Sequence, residues 1–521
     1  MSSEPGGDHG LYDPPGGGDP TPDPLDERSP EFSPDGSRTG SSLGESWAGP
    51  SSSQGPTGST SGQAPMRPDA PEHKYATVAG EGDVETGPGK SSTSPDPGAS
   101  DDVPILPPEP LDLEDTGIDP EILGDLVLKL AYTMPSITTR RAARDTCLPE
   151  PIAADLLAQL KKDRLVEVLG EAGTGYRFAI TGGGRDRAAR LFEISGYVGP
   201  APVSLASYRE LLELQLDQLP EATPEGVRSA LADLVLPEEA LEVAGLAALS
   251  RRTLFLYGPP GNGKTSVGRL IHGAIEGNLW VPYCIGVDSH VIRIFDPQVH
   301  EPPETGALPE DAPFDHRWVQ IRRPFIVVGG ELTVDALDLM FSPSLRFYEA
   351  PLHMKANGGT FLLDDFGFQN AEPSQLLGRW IYPLEHRVDH LTLQTGQKLE
   401  VPFRQMLIVS TNIDPDKVMD PAFLRRMGYR IYLGSPTPEE YGRIFHEVAG
   451  RVGATLPAGI VDRVIQRHVA EGRPLRGCGP RDLIDRARDT CTFRKQPLEL
   501  TDAVMDVAWR GYYGNLDCQR S

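Results

Sequence analysis

Cysteine is scarce in this 521-residue chain: Cys147, Cys284, Cys478, Cys491 and Cys518 are scattered and form no C-x-x-C pair. A disulfide framework and a thiolate zinc site are thereby excluded, and a reducing compartment fits best. Long apolar runs are missing too, since nothing approaches the roughly 20 residues that span a bilayer, and no membrane insertion is expected. The opening MSSEPGGDHG has neither a basic nor an apolar stretch, so no secretory leader is expected and the expected location is cytoplasmic. Basic residues are in deficit: 49 Lys and Arg stand against 75 Asp and Glu, a formal charge of −26. Before residue 120 the count is 5 against 23, so −18 of that charge sits in less than a quarter of the chain. Such acidity argues against indiscriminate nucleic-acid binding by the whole chain. From Met1 to about Asp112 branched apolar residues are nearly absent, and Gly, Pro, Ser, Thr and acid take their place. A segment of that kind cannot bury enough surface to offset its chain entropy. Residues 1–117 are therefore expected to be a disordered tail, either a solvating one or an acidic interaction arm.

What is present gathers near the middle, where residues 254–266 read LFLYGPPGNGKTS. Leu254–Tyr257 has the look of a buried strand, and an apolar-periodic helix follows. This is G-x-x-x-x-G-K-[ST] in its strand-loop-helix setting, a loop that cradles phosphate. Gly258, Gly261 and Gly263 permit a tight turn with no Cβ between the backbone and a polyphosphate. The amides of Gly261, Asn262, Gly263, Lys264 and Thr265 open a helix, where unpaired N–H groups favour an anion, and Ser266 completes the expected nucleotide-binding set. Lys264 adds a positive charge at the β/γ-phosphates, and the Thr265 hydroxyl is a candidate Mg²⁺ ligand. The expected ligands are thus a nucleoside triphosphate and Mg²⁺.

About a hundred residues later comes GGTFLLDDFG. Two carboxylates end an apolar run at the strand terminus where ligands bind in open α/β sheets. Asp364 is placed to hold the metal, and Asp365 to orient and deprotonate an attacking water. A third strand, MLIVSTN, ends on Asn412, which either aligns that water or simply forms the turn before Asp414-Pro415. In DPAFLRRMGYRIYL, Arg426 is a candidate to reach a neighbouring subunit's nucleotide, with Arg425 and Arg430 left as alternatives; a solvated basic pair is the plain reading.

Upstream, residues 118–198 alternate as three helical patterns, a two-strand hairpin and a closing helix, the order of a winged helix. Ser136 is a possible cap for the second helix. The third helix opens on EPIAAD, without the basic or amide side chains that reach bases, and residues 120–199 hold 11 basic against 10 acidic side chains. A protein-contact module is the better expectation, and DNA binding is not favoured. Residues 199–221 read as a helical connector, residues 222–434 as strands alternating with helices around a mostly parallel sheet, residues 435–515 as a helical lid, and 516–521 as a short tail.

Taken together, LFLYGPPGNGKTS, FLLDDFG, IVSTN, DPAFLRR and the helical segment with GPRDL resemble the AAA+ ATPases in order and spacing over about residues 225–515. The resemblance implies Lys264 and Thr265 as Walker A, Asp364 and Asp365 as Walker B, Asn412 as sensor 1, Arg426 as arginine finger and Arg481 as the sensor-2 arginine of the lid. It also implies ATP hydrolysis in a ring, a hexamer by expectation. Two departures stand out: Asp365 occupies a place where the family has Glu, and the end of the arginine box reads MGYRI. The run KANGGTFLLDDFG and a hairpin expected before IVSTN are similar to MoxR-like and NtrC-like members, whereas FSPSLRFYEAPLHM replaces the loop by which NtrC-like activators engage sigma factor. The resemblance therefore implies a remodelling enzyme acting on an unknown protein client. The alternatives are an ATP-regulated winged-helix DNA-binding regulator and a nucleotide-binding scaffold with little turnover. His386 and His390 are read as structural, and residues 286–304 as an extended hairpin with a Pro-rich loop.

Overall fold

The computed structural model describes residues 105–172, 175–220, 222–275, 277–303, 313–418 and 421–514. The acidic segment 1–104, where most of the expected tail falls, lies outside the described residues.

The central sheet has five parallel strands in the order Phe325–Val328, Thr360–Leu363, Met406–Thr411, Leu254–Tyr257, Tyr429–Tyr432. Its middle strands are apolar at almost every position because both faces are covered. Phe255, Phe361, Leu363, Leu407 and Val409 point to one face and pack with Trp380 and Phe423. Leu254, Leu256, Leu362, Met406 and Ile408 point to the other, beneath helices Lys264–Gly273 and Glu238–Ser250. The period of two divides the strands cleanly between the layers. Leu363 pairs with Val409 and Thr411 with Tyr257, so the acidic strand, the sensor strand and the phosphate-loop strand end on the same edge.

Within residues 222–434 two stretches stand apart from the central parallel sheet. Residues 284–293 and 340–349 leave the central sheet. Their strands Cys284–Val287, His290–Arg293, Phe347–Glu349 and Met340–Ser342 join Val203–Ser204 in a second, mixed five-stranded sheet. Asn278–Pro282 and Trp318–Arg322 form a separate antiparallel ribbon. Helix Leu205–Gln218 covers this layer through Tyr208, Leu211 and Leu212, so the connector is part of a core. These strands are short and partly joined by tight turns, and hairpins of that kind close on their nearest neighbours. The hairpin expected before the sensor strand is Val388–Thr392 paired with Lys398–Pro402.

Residues 120–194 build helices Pro120–Tyr132, Thr139–Thr146, Glu150–Lys162 and Gly182–Ile194 with a three-stranded antiparallel sheet of Ile137–Thr138, Gly175–Ile180 and Val166–Ala172. The strand Ile137–Thr138 is not apparent in the sequence. It moves the cap of the second helix from Ser136 to Thr138, whose hydroxyl accepts the Arg141 amide at 3.2 Å. Packing also begins earlier than Ile118. Ile105 and Leu106 lie on the apolar layer, and the Pro107 carbonyl accepts the Asp315 amide at 2.9 Å. Arg317, buried and paired with Asp315, donates to the Thr116 and Pro202 carbonyls at 2.9 and 3.1 Å.

The lid comprises helices Pro438–Arg451, Ile460–Ala470, Gly479–Phe493 and Asp502–Tyr513 around Tyr441, Phe445, Leu483 and Trp509. Its first helix opens with a capping box between Thr437 and Glu440. Among the described residues no helix is long and apolar enough to cross a membrane.

Candidate functional site

The loop after Leu254–Tyr257 takes the backbone path that its glycines permit. Gly258, Gly261 and Gly263 have φ of 135°, 84° and 84°. A Cβ on Gly258 would lie 2.3 Å from the Leu433 carbonyl oxygen, and one on Gly261 would lie 2.7 Å from Cys478 Sγ. Only glycine fits either place. Gly263 ends the turn, and helix Lys264–Gly273 starts from it with no side-chain cap, leaving its first amides to the loop. Lys264 Nζ donates to the carbonyls of Gly258 and Pro259 at 3.0 and 2.9 Å. Burial holds its ammonium below the usual lysine range, against the pull of Asp365 and Asp364. Ser266 lies with these residues on the wall of the cleft described below.

The carboxylates meet this loop through hydroxyls. Thr265 Oγ1 is 2.8 Å from Asp364 Oδ2, the Asp365 amide donates to Asp364 Oδ1 at 3.1 Å, and Ser410 Oγ donates to the same oxygen. Three donors fix the carboxylate in orientation. Asp365 has φ of 47°, a left-handed conformation that Asp tolerates better than most side chains and that is enriched at functional sites. Asn412 Nδ2 donates to Asp365 Oδ1 at 2.8 Å. Gln369 closes the turn by donating to the Asp364 carbonyl at 2.9 Å.

The lid touches the loop directly. The Cys478 amide donates to the Gly261 carbonyl at 2.7 Å, and the Gly477 amide to Asn262 Oδ1 at 3.0 Å. Between core and lid lies a cleft of about 780 Å³ that takes in residues 260–266, Asp364, Asp365, Asn412 and Arg481. Leu234, Leu236, Ile444 and Val448 form an apolar end, and Tyr432 stands beside it. The cleft is thus lined by loop amides, lysine and carboxylates on one hand and by apolar side chains on the other, the mixture that small-molecule sites present.

Arg481 reaches this cleft from helix Gly479–Phe493 and, among the described residues, pairs at 3.2 Å with its neighbour Asp482. Arg426 does not line it: the guanidinium meets Glu385 of the same chain at 3.0 Å. Arg425 and Arg430 are exposed, and Arg430 donates to the Leu424 carbonyl. His386 and His390 both lie against Tyr382, each tilted 38° to it, with ring centroids 4.3 and 5.1 Å away, and no metal cluster of His, Cys, Asp or Glu occurs among the described residues.

Reasoning from sequence missed Ser410, Gln369, the Gly477-Cys478 contact and the apolar wall at 234–236. The serine was readable in principle, because a polar residue in the otherwise apolar run MLIVS needs a partner when buried. The lid contact and the apolar wall have no local signal, since they pair segments more than a hundred residues apart.

Fold and loop together define a P-loop α/β core, a parallel sheet flanked by helices, with a C-terminal helical lid, the fold class that the sequence resemblance implied. Residues 437–511 match a family described as a domain of unknown function, DUF8689, which is the lid. No curated protein matches the chain. Similar solved structures include a point-mutant form of RuvB from Thermotoga maritima, at 15% identity and TM-score 0.32, covering 57% of this chain and 72% of that one. Another is NtrX of Brucella abortus in complex with ATP, at 15% identity and TM-score 0.33, covering 56% of this chain and 59% of that one. Likeness at that level says nothing of activity, and the fold assignment stands on the strand order and the loop.

Proposed function

We propose that the chain binds ATP with Mg²⁺ and hydrolyses it as an AAA+ ATPase. The observation that carries this reading is the connected set Thr265–Asp364–Ser410 beside Asp365–Asn412, at the mouth of a glycine loop holding a buried lysine. The donor set suits Mg²⁺: a hydroxyl and a carboxylate are hard oxygen ligands, and this ion takes one or two protein ligands with water and substrate phosphates supplying the rest. Bound there, the ion neutralises charge on the phosphates. Gly261, Asn262, Gly263, Lys264, Thr265 and Ser266 bind the phosphates. Asp365, steadied by Asn412, orients the attacking water and takes its proton, and Arg481 brings positive charge from the lid. Asp365→Asn should abolish phosphate release while leaving nucleotide binding, measured by a fluorescent ATP analogue, within about threefold. Loss of binding in a folded variant would sink the role.

In this reading the assembly is a ring, a hexamer by analogy, in which Arg426 leaves Glu385 for the neighbour's nucleotide. Its position away from its own chain's cleft favours action in trans. ATPase activity that survives both dilution and Arg426→Ala would remove the ring. The work done on ATP turnover is remodelling of a protein client in a MoxR-like manner, in the cytoplasm, with the winged-helix-like module 118–198 as a contact surface. The alternative, a DNA-binding regulator, is less favoured. The exposed positions of helix Glu150–Lys162 include Glu150 and Asp155 at its start, and its lysines stand at the far end. Salt-dependent DNA binding by the full chain, lost in Lys161→Glu/Lys162→Glu, would reverse that preference.

A further inference from the structure

A second cleft, of about 570 Å³, lies between helix Thr139–Thr146 and the ribbon of Asn278–Pro282 and Trp318–Arg322. Its floor is aromatic. Trp280 and Trp318 are buried in it, Tyr283 and Phe314 are half-buried, and the Trp280 and Phe314 ring centroids are 4.9 Å apart. Its rim carries Arg140 and Arg144, both exposed. Arg140 has no ion pair or hydrogen bond among the described residues. Arg144 meets only the adjacent Asp145, at 3.3 Å, whose other oxygen is taken by Arg141. None of these groups belongs to the nucleotide cleft.

Aromatic rings below and unpaired guanidinium above suit a peptide that carries prolines and carboxylates. Proline rings lie on aromatic faces in an already extended backbone, with little entropy to lose, and carboxylates accept from arginine. Such a peptide stands next to the cleft in the same chain. Ile105 and Leu106 pack on the apolar cluster that contains Trp280, Trp318 and Phe314, and Pro107 is hydrogen-bonded to Asp315, the neighbour of Phe314. Immediately before them, residues 94–104 read SPDPGASDDVP, with three prolines, three aspartates and no basic residue. At about 3.4 Å per residue, Asp101 and Asp102 can lie roughly 10–14 Å from Ile105, enough to cross a cleft of this size.

We propose that this cleft is a docking site for an acidic, proline-bearing peptide and that its occupant is residues 95–104 of the same chain. Asp101 and Asp102 meet Arg140 and Arg144, and the prolines cover the aromatic floor.

The test uses the full-length chain with the photo-crosslinker benzoylphenylalanine in place of Val103. Photolysis should join position 103 to peptides carrying Trp280, Tyr283, Phe314 or Trp318 of the same molecule. Arg140→Glu/Arg144→Glu should reduce that product roughly fivefold, the effect of two exposed ion pairs. Asp101→Lys/Asp102→Lys in the reversed background should restore it, which a merely structural role for the arginines would not produce. Unchanged melting temperatures establish that the variants fold. A product elsewhere, a product indifferent to charge reversal, or, with mixed isotope-labelled and unlabelled chains, a product joining two molecules would overturn the proposal.

Discussion

Replacing Ser410 by Ala removes one of the three donors on Asp364 and leaves Thr265 Oγ1 at 2.8 Å and the Asp365 amide at 3.1 Å. A hydrogen bond to a charged group contributes about 1.5–3 kcal/mol, and the two remaining donors keep the loss near the lower end. Ser410 is fully buried, so its hydroxyl is held by protein rather than by solvent. Removing a group that orients a metal ligand costs roughly 10–100-fold in metal affinity, and with two donors left the Mg²⁺ midpoint should rise about tenfold. The maximal rate should stay within about twofold once Mg²⁺ saturates, because Asp365 and Asn412 are untouched. The assay is a Mg²⁺ titration of phosphate release at fixed ATP, with a thermal melt to show that the variant folds. An unchanged midpoint in a folded protein would refute the orienting role. A lowered maximal rate at an unchanged midpoint would instead place Ser410 with the Asp365–Asn412 pair.

Gly258→Ala sets a Cβ 2.3 Å from the Leu433 carbonyl oxygen at φ of 135°, and should destabilise the chain by about 2 kcal/mol or more in a denaturant titration. Asp389 is buried between His353, at 2.8 Å, and Arg379, so Asp389→Ala leaves the buried His353 without its partner while Arg379 keeps the His390 carbonyl, and should cost about 3 kcal/mol by the same measurement. Acid should weaken the fold in a defined window. Burial lowers His272 and His468 to about 4, so both are neutral in the native chain while the unfolded chain takes up protons near pH 6.5. Stability should therefore fall between about pH 6.5 and 4, and His468→Phe should flatten that slope in melts across pH; an unaltered slope would count against the lid histidine.

The lid and the nucleotide loop were legible for a common reason: each is dictated by neighbours in sequence. A 3.6-residue period marks the lid helices, and a glycine spacing followed by Lys264-Thr265 marks the loop. Asp364, Asp365 and Asn412 could be named because each ends an apolar strand, and parallel strands in register bring such ends to one edge. The second sheet was apparent in the sequence only in its hairpin around residues 286–293. Its strands are two to four residues long, too short for a period to show, and its pairing joins Val203 to Ile285 and Tyr348 to Ile292.

What the chain's local pattern determined by itself is the set of local features: a glycine turn before a helix, paired carboxylates and an amide at strand ends, and an arginine on a C-terminal helix, each set by residue type and spacing. Tertiary structure alone decided which groups touch. It placed Ser410 on Asp364 and Asn412 on Asp365, set Cys478 against Gly261, turned Arg426 toward Glu385, and gathered Trp280, Trp318 and Arg140 around one cleft. The physical reason is range. Backbone conformation follows from adjacent residues, whereas burial, hydrogen-bond partners and charge environment depend on segments that meet only when the chain packs.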